Sequence, residues 1–314
     1  MNARSPRSLA ERAALLRRLE LLVHRRLDGL VSGEFLGAGS GPGSDPSGVR
    51  AYGPGDEARR IDWNITARSF APQVRTTEPD RELETWIIVD RSASLDFGTT
   101  EQEKSDVALA AVAAFGLLSL QGGNRVHVVI AGGEGLVRVP PASSRPTMMA
   151  ALARVHDVPR AERSPAPGAD LAAALEMLAR RRHRRGRVVV VSDFLDHGWD
   201  VPLRNLAHHH QVVAVHVVDP RERELPPVGI LSVVDTETGR ELHVQTNSAK
   251  LRARYAEAAR ARHDAIAAAT RRAGAAHLVL ATDRDWVTDI GAFVRHHNQR
   301  RLVRASSSAG AVAG

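Results

Sequence analysis

The sequence predicts an α/β fold: a mainly parallel sheet with helices on both faces, preceded by a small β-rich subdomain and an N-terminal helix. Three observations carry this. Trp86-Ile-Ile-Val-Asp90 and Val188-Val-Val-Val-Ser-Asp193 are continuous apolar runs, each ending in a carboxylate, the pattern of strands buried on both faces. From residue 84 onward such runs alternate with stretches of helical apolar spacing, as in successive βαβ units. Upstream, residues 37–48 are rich in Gly, Ser and Pro and separate an N-terminal segment from the rest.

Within 1–48, residues 8–31 place Leu15, Leu19, Leu22, Val23, Leu27 and Leu30 at helical spacing, with Arg12, Arg17, Arg18, Arg25 and Arg26 between them. This is a basic amphipathic helix, whose apolar side either packs on its own domain or lies on a membrane surface. Gly37-x-Gly39-x-Gly41-x-Gly43 follows no strand and lacks a Gly-Lys-Ser/Thr ending, so it is not read as a phosphate loop. Residues 49–84 form the β-rich subdomain, gathered around Tyr52, Ile61, Trp63 and Val74, with Trp63 expected to be buried; Tyr52-Gly-Pro-Gly-Asp56 is a turn by composition.

The main domain spans 85–304. Strands are expected at 85–90, 126–131, 135–139, 187–192, 211–218 and 276–281, and helices near 103–121, 146–155, 169–183, 200–208, 248–273 and 285–299. Residues 230–245 read as a hairpin. The tail 305–314 is small and polar and expected to be disordered.

Composition narrows the chemistry. The 314 residues hold no cysteine, which removes disulfides, thiolate catalysis and Cys-based zinc sites. No window reaches the eighteen or so uninterrupted apolar residues of a membrane span, and the first thirty residues lack the apolar core of a secretory signal, so a cytoplasmic location is expected. The formal charge is +7, yet of 43 basic residues only Lys104 and Lys250 are lysines. With abundant Ala and Gly, that bias points to a GC-rich genome more than to selected arginine chemistry. A basic balance suits nucleic acid, acidic membranes or an acidic protein partner equally.

The candidate site lies at the two strand ends. In an open α/β sheet, ligands gather beyond the carboxyl ends of the strands. Asp90, Ser92, Ser94 and Asp193 would then face one crevice, and their oxygens are hard donors suited to Mg²⁺, Mn²⁺ or Ca²⁺. The plainer reading is that Asp and Ser after a strand cap the next turn. Asp56, Arg59, Asp62, Trp63 and Arg68 form a second cluster, either a partner surface anchored by Trp and Arg or a set of internal ion pairs. His208-His209-His210 is read as a loop before a strand, His296-His297 as a helix end, and Arg180–Arg187 as a solvated helix end. His197, four residues after Asp193, is the one histidine placed to act as a base, although a surface role is expected. No nucleophile–base pair or metalloprotease motif occurs, and no catalysis is expected.

Asp90-x-Ser92-x-Ser94 with Asp193 resembles the metal-ion-dependent adhesion site of von Willebrand factor A-type domains. There a threonine loop completes the site. Here that loop reads Pro167-Gly168-Ala169-Asp170, so Ala169 withholds the hydroxyl and Asp170 is the alternative donor. The resemblance therefore implies a Mg²⁺ (or Mn²⁺ or Ca²⁺) site that is weak or absent. Val49-Arg50-Ala51-Tyr52-Gly53-Pro54-Gly55-Asp56-Glu57-Ala58-Arg59-Arg60-Ile61-Asp62-Trp63, continuing to Ala67-Arg68, resembles the signature of the bacterial domain-of-unknown-function family fifty-eight, as does Ser192-Asp193-Phe194. That resemblance covers roughly residues 20–290. It implies a von Willebrand A-like domain and an adaptor role beside a MoxR-type AAA+ ATPase, in remodelling, maturation or metal insertion of a client protein. A partner carboxylate would be recognised at the strand-end crevice. Two alternatives remain open: a metal-dependent phosphoesterase or nuclease at Asp90, Asp170 and Asp193, and a basic nucleic-acid-binding module.

Overall fold

The structure is a computed structural model that describes residues 9–27, 45–53, 61–69, 71–78, 84–121, 123–132, 135–159, 171–180, 185–234 and 241–297. In chain order, helix α1 (Leu9–Leu27) precedes an antiparallel pair, β1 (Asp45–Ala51) and β2 (Gln73–Glu78), with the one-turn helix α2 (Trp63–Thr66) between its strands. Then come β3 (Thr85–Asp90), α3 (Lys104–Gln121), β4 (Val126–Gly132), β5 (Gly135–Arg138), α4 (Arg145–His156) and α5 (Leu171–Ala179). The chain continues through β6 (Arg187–Ser192), α6 (Asp200–His209), β7 (Gln211–Val218), the hairpin β8 (Ile230–Val234) and β9 (Glu241–Gln245), α7 (Ala249–Arg272), β10 (Ala276–Ala281) and a last helix α8 over 286–297.

Six strands form the main sheet in the order β10-β7-β6-β3-β4-β5. All neighbours are parallel except β4 and β5, which form an antiparallel edge. The first strand of the sheet, β3, therefore sits inside it, with β4 on one flank and β6 on the other. The direction of winding reverses between β3 and β6, and a crevice opens there beyond the strand ends.

Strand alternation divides the core. Ile87, Val89, Val189, Val191, Val213 and Val215 face α1, α3, α4 and α8, whereas Trp86, Ile88, Val188, Val190, Val212 and Ala214 face α5, α6 and α7. Helix α3 is apolar all round and buried along most of its length, lying between the sheet and the outer helices α1 and α4. Helix α1 buries Leu16, Leu19, Val23 and Leu27 against that layer and leaves Arg17, Arg18, Arg25 and Arg26 exposed. Its apolar side is thus engaged inside the fold. Pairs of Arg12 with Asp157 and of Arg26 with Asp285, the latter at 2.9 Å, fasten its two ends.

Several expectations need correction. Strand β1 begins at Asp45, inside the stretch read as linker, because pairing with β2 up to Glu78 extends the ladder. Trp63 is 69% exposed rather than buried. The residue before it turns inward instead: Asp62 caps α2, its carboxylate accepting from Asn64 N (3.0 Å) and Ile65 N (3.2 Å). Tyr52 is exposed too, and the small pair centres on Val74, which is buried and bridges to Ile61. His208 and His209 end α6 rather than forming a loop, and His210 is buried, its Nδ1 accepting from Gly186 N at 3.3 Å. Asp56, Arg59, Ala169, Asp170, Arg181–Arg184 and the tail 305–314 lie outside the described residues.

Candidate functional site

Asp90 ends β3 and Ser192 ends the adjacent parallel strand β6, with Asp193 the next residue, so the register sets Asp90 beside Ser192 and brings both carboxylates to the same end of the sheet at the winding reversal. Both are buried. The serine between them links the strands. Ser192 Oγ donates to Asp90 Oδ2 at 2.6 Å and accepts from Phe194 N at 2.9 Å. The other oxygen of Asp90 accepts from Ser92 N at 2.8 Å, closing the Asp-x-Ser turn on itself. Ser92 Oγ and Ser94 Oγ lie 2.9 Å apart, one hydroxyl donating to the other. The turn leaving β6 is tight: Phe194 takes φ 55°, a conformation that costs a non-glycine residue energy. It is held there by burial and by edge contacts with Trp199 and His216.

A residue that motif reading passed over completes the cluster. Lys104, the first residue of α3, is wholly buried. Its ammonium donates to Asp193 Oδ2 at 2.8 Å and to Glu222, which stands on the short turn Pro220–Glu222 after β7. The Phe97 ring lies under the same nitrogen, 5.9 Å to its centroid. Asp193 also accepts from Leu195 N at 3.3 Å and from the Ser94 hydroxyl.

These contacts set the charges. Burial pushes the Asp90 carboxyl up, the Asp193 charge pushes it further, and it reaches about 7 despite the bonds from Ser192 and Ser92. Burial opposes the Asp193 charge as well, but the Lys104 ammonium outweighs it and holds that carboxyl below its ordinary range. For Lys104 the order is the same: burial works against the ammonium, and Asp193 and Glu222 overcome it and raise its pKa. Glu222 is raised, burial prevailing over the pull of Lys104.

The neighbouring strand end is organised in the same way. Asp219, after β7, accepts from Thr99 N (2.9 Å), Thr99 Oγ1 (2.7 Å), Arg221 N (2.9 Å) and Thr282 Oγ1 (2.8 Å). These bonds outweigh burial and depress its pKa. They tie the loop after β3 to the ends of β7 and β10. On the α7 side of the sheet, His216 of β7 lies 5.0 Å from His263 and 5.6 Å from His277, centroid to centroid. Sequence reading had placed His216 inside an apolar strand and assigned it no role.

Asp90, Ser92, Ser94 and Asp193, which the resemblance assigned to a divalent ion, are thus brought together, yet among the described residues they do not fit one as they stand. Asp193 is committed to an ammonium, the two serine hydroxyls are bonded to each other, and Asp90 is shared by Ser192 and Ser92. The arrangement is a closed hydrogen-bond and ion-pair network. Asp96 is largely buried, with the Arg91 guanidinium 3.5 Å away. His197 is exposed in the loop after Asp193. In the second candidate cluster Asp62 acts as a helix cap, while Trp63 and Arg68 face solvent.

Uncharacterized proteins of Mycobacterium tuberculosis and Mycobacterium bovis are each 45% identical to this chain over 296 residues, covering 92% of it and 91% of the relative. A Mycobacterium avium protein is 40% identical over 170 residues, 53% of this chain and 98% of its own length. Among solved structures, BatB from Bacteroides thetaiotaomicron is similar with a TM-score of 0.44 and 14% identity, covering 69% of this chain and 99% of that one. The SpRpn10 VWA domain is similar with a TM-score of 0.36 and 11% identity, covering 66% and 93%. The sheet is mainly parallel with helices on both faces, the α/β arrangement that the alternating apolar runs imply. Residues 48–265, which contain both the Tyr52 to Arg68 signature and the paired strand ends, match the family described as "Protein of unknown function DUF58", and the chain belongs to that family.

Proposed function

We propose that this protein is a non-enzymatic, cytoplasmic interaction partner of a MoxR-type AAA+ ATPase, working with it on a third protein in remodelling, maturation or metal insertion. The ATPase is what family resemblance implies. The observation that carries an interaction role is Trp63: a large aromatic side chain, 69% exposed, on a turn held rigid by the Asp62 cap. Tyr52 and Arg68, from the same signature segment, are exposed as well. Trp, Tyr and Arg are the residues that most often anchor protein interfaces, and a solvated Trp on a fixed backbone is preorganised to bind. Recognition on this reading uses the signature surface and takes no step through a metal.

Co-purification from the native host, with and without nucleotide, tests it. Loss of an interface anchor costs about 2 kcal/mol or more, so Trp63→Ala is expected to cut ATPase recovery roughly 30-fold. Its melting temperature should stay within about a degree of wild type, as expected for an exposed side chain. Equal recovery with wild type and variant sinks the assignment of this surface. The purified protein, given Mg²⁺ or Mn²⁺, is expected to turn over no phosphomonoester, phosphodiester or nucleotide. Turnover abolished by Asp90→Asn would transfer the reading to the hydrolase alternative.

A further inference from the structure

A cation is already built into the strand-end crevice. Lys104 has no solvent exposure, and its ammonium bridges Asp193, itself buried, and Glu222, whose side chain is 25% exposed. Lysine is suited to this position, because its ammonium is a compact point charge, where arginine's guanidinium is a broad planar fork. The chain uses lysine at only two of its 43 basic positions, and this is one of them. The other buried positions of α3 are apolar or small, so Lys104 is the one fully buried charge on the helix.

We infer that the Lys104 ammonium is the resident cation of this crevice, holding Asp193 and Glu222 as a divalent ion would, so that the folded site is complete without a metal. A divalent ion ligated by Asp193 would share a buried carboxylate with a buried ammonium, and two cations so placed repel with little solvent to screen them. The hydroxyls that such an ion would need are turned to other partners: Ser92 and Ser94 bond each other, and Ser192 bonds Asp90. The inference concerns the crevice and not the Trp63 surface, so the two readings fail separately.

Selective ¹⁵N labelling of lysine reports on two ammonium groups, Lys104 and Lys250, and Lys250 is exposed at the start of α7 and exchanges fast with water. One slowly exchanging ammonium signal is expected, unmoved by Mg²⁺ or Ca²⁺ at about 10 mM, a concentration that fills even weak oxygen-ligand sites. The absence of a protected ammonium, or a saturable shift with Mg²⁺ that Asp90→Asn abolishes, overturns the inference. Lys104→Met supplies the converse. With the ammonium gone, Asp90, Asp193 and Glu222 are expected to take up Mn²⁺ or Ca²⁺ with a Kd of about 10⁻⁴–10⁻³ M and to gain thermal stability from it. Adding Asp193→Asn should remove that gain. A folded Lys104→Met protein that binds no divalent ion overturns the inference, and if the variant does not fold, the lysine signal in the wild type decides.

Discussion

At the scale of single residues, the crevice divides into what a strand end announces and what distant chain supplies. Asp90, Ser92, Ser94 and Asp193 are legible because an apolar run that stops at a carboxylate marks the end of a strand, whereas the bridging role of Ser192 is not. Lys104 and Glu222 are not legible either, since each reaches the crevice from an element that no motif links to it. The one available signal is a lysine at the head of a largely apolar helix in an arginine-rich chain. Leaving Asp193 and Glu222 without that cation is expected to cost Lys104→Met about 3–5 kcal/mol in metal-free buffer, measured by urea unfolding. A loss under about 1 kcal/mol would mean that the pair is solvated. His216 gives a second test. Burial, then His263 and His277, lower its pKa to about 3, while an unfolded histidine titrates near 6.5. Between those values the unfolded chain binds the proton that the folded one refuses. Stability is therefore full above about pH 6.5 and falls as pH drops toward 3, by up to about 1.4 kcal/mol per pH unit. His263 and His277 are lowered too, burial being the first cause, and add in the same direction. Asp90 has the opposite sign: raised to about 7, it favours the fold most below its unfolded value and loses that contribution as pH rises through 7. Comparing wild type with His216→Leu from pH 7 to pH 5 isolates the histidine. The variant should lose less stability over that interval, and parallel curves would refute the assignment.

At the scale of elements, β6 and β7 are legible end to end, because valine-rich runs buried on both faces mark where they stop. The fate of α1 was not legible, since a basic amphipathic helix suits a membrane surface and a protein core alike. Packing in the structure engages its apolar side, and the helix should behave as core. Leu19→Ala and Leu16→Ala are each expected to destabilise by about 2–5 kcal/mol in urea titration, and Arg18→Ala by less than about 0.5 kcal/mol. Equal, small effects would detach α1 from the fold. The hairpin β8–β9 is the converse case. Ile230 is 71% exposed and Leu242 52%, so both carry little of the core. Ile230→Ser and Leu242→Ser should leave the melting temperature within about two degrees of wild type. The apolar spacing that revealed the hairpin reported strand formation without saying whether anything covers it.

At the scale of the whole molecule, the α/β class followed from alternation, while the strand order did not. Which strand flanks β3 is a long-range choice, and neither apolar run encodes its neighbour. That choice puts β3 beside β6 and thereby makes one site of two carboxylates a hundred residues apart. It also joins the two cores, because alternate residues of the same strands serve both. Calorimetry should show a single unfolding transition, lowered both by Leu152→Ala on one face and by Leu203→Ala on the other, each of which is fully buried. Two transitions, each moved by only one of the variants, would show that the faces unfold independently.

Helix α3 has the length and apolar character to cross a membrane and instead lies inside the protein. During synthesis the order of emergence then matters. When α3 leaves the ribosome, β6, β7 and β10 have not been made, and of the layers that will enclose it only α1 and β3 are at hand. The N-terminal helix, already made and packed on α3 in the fold, would then cover this apolar segment before the later strands are made. Loss of α1 should reduce the yield of folded protein in cells by more than its effect on refolding from urea accounts for.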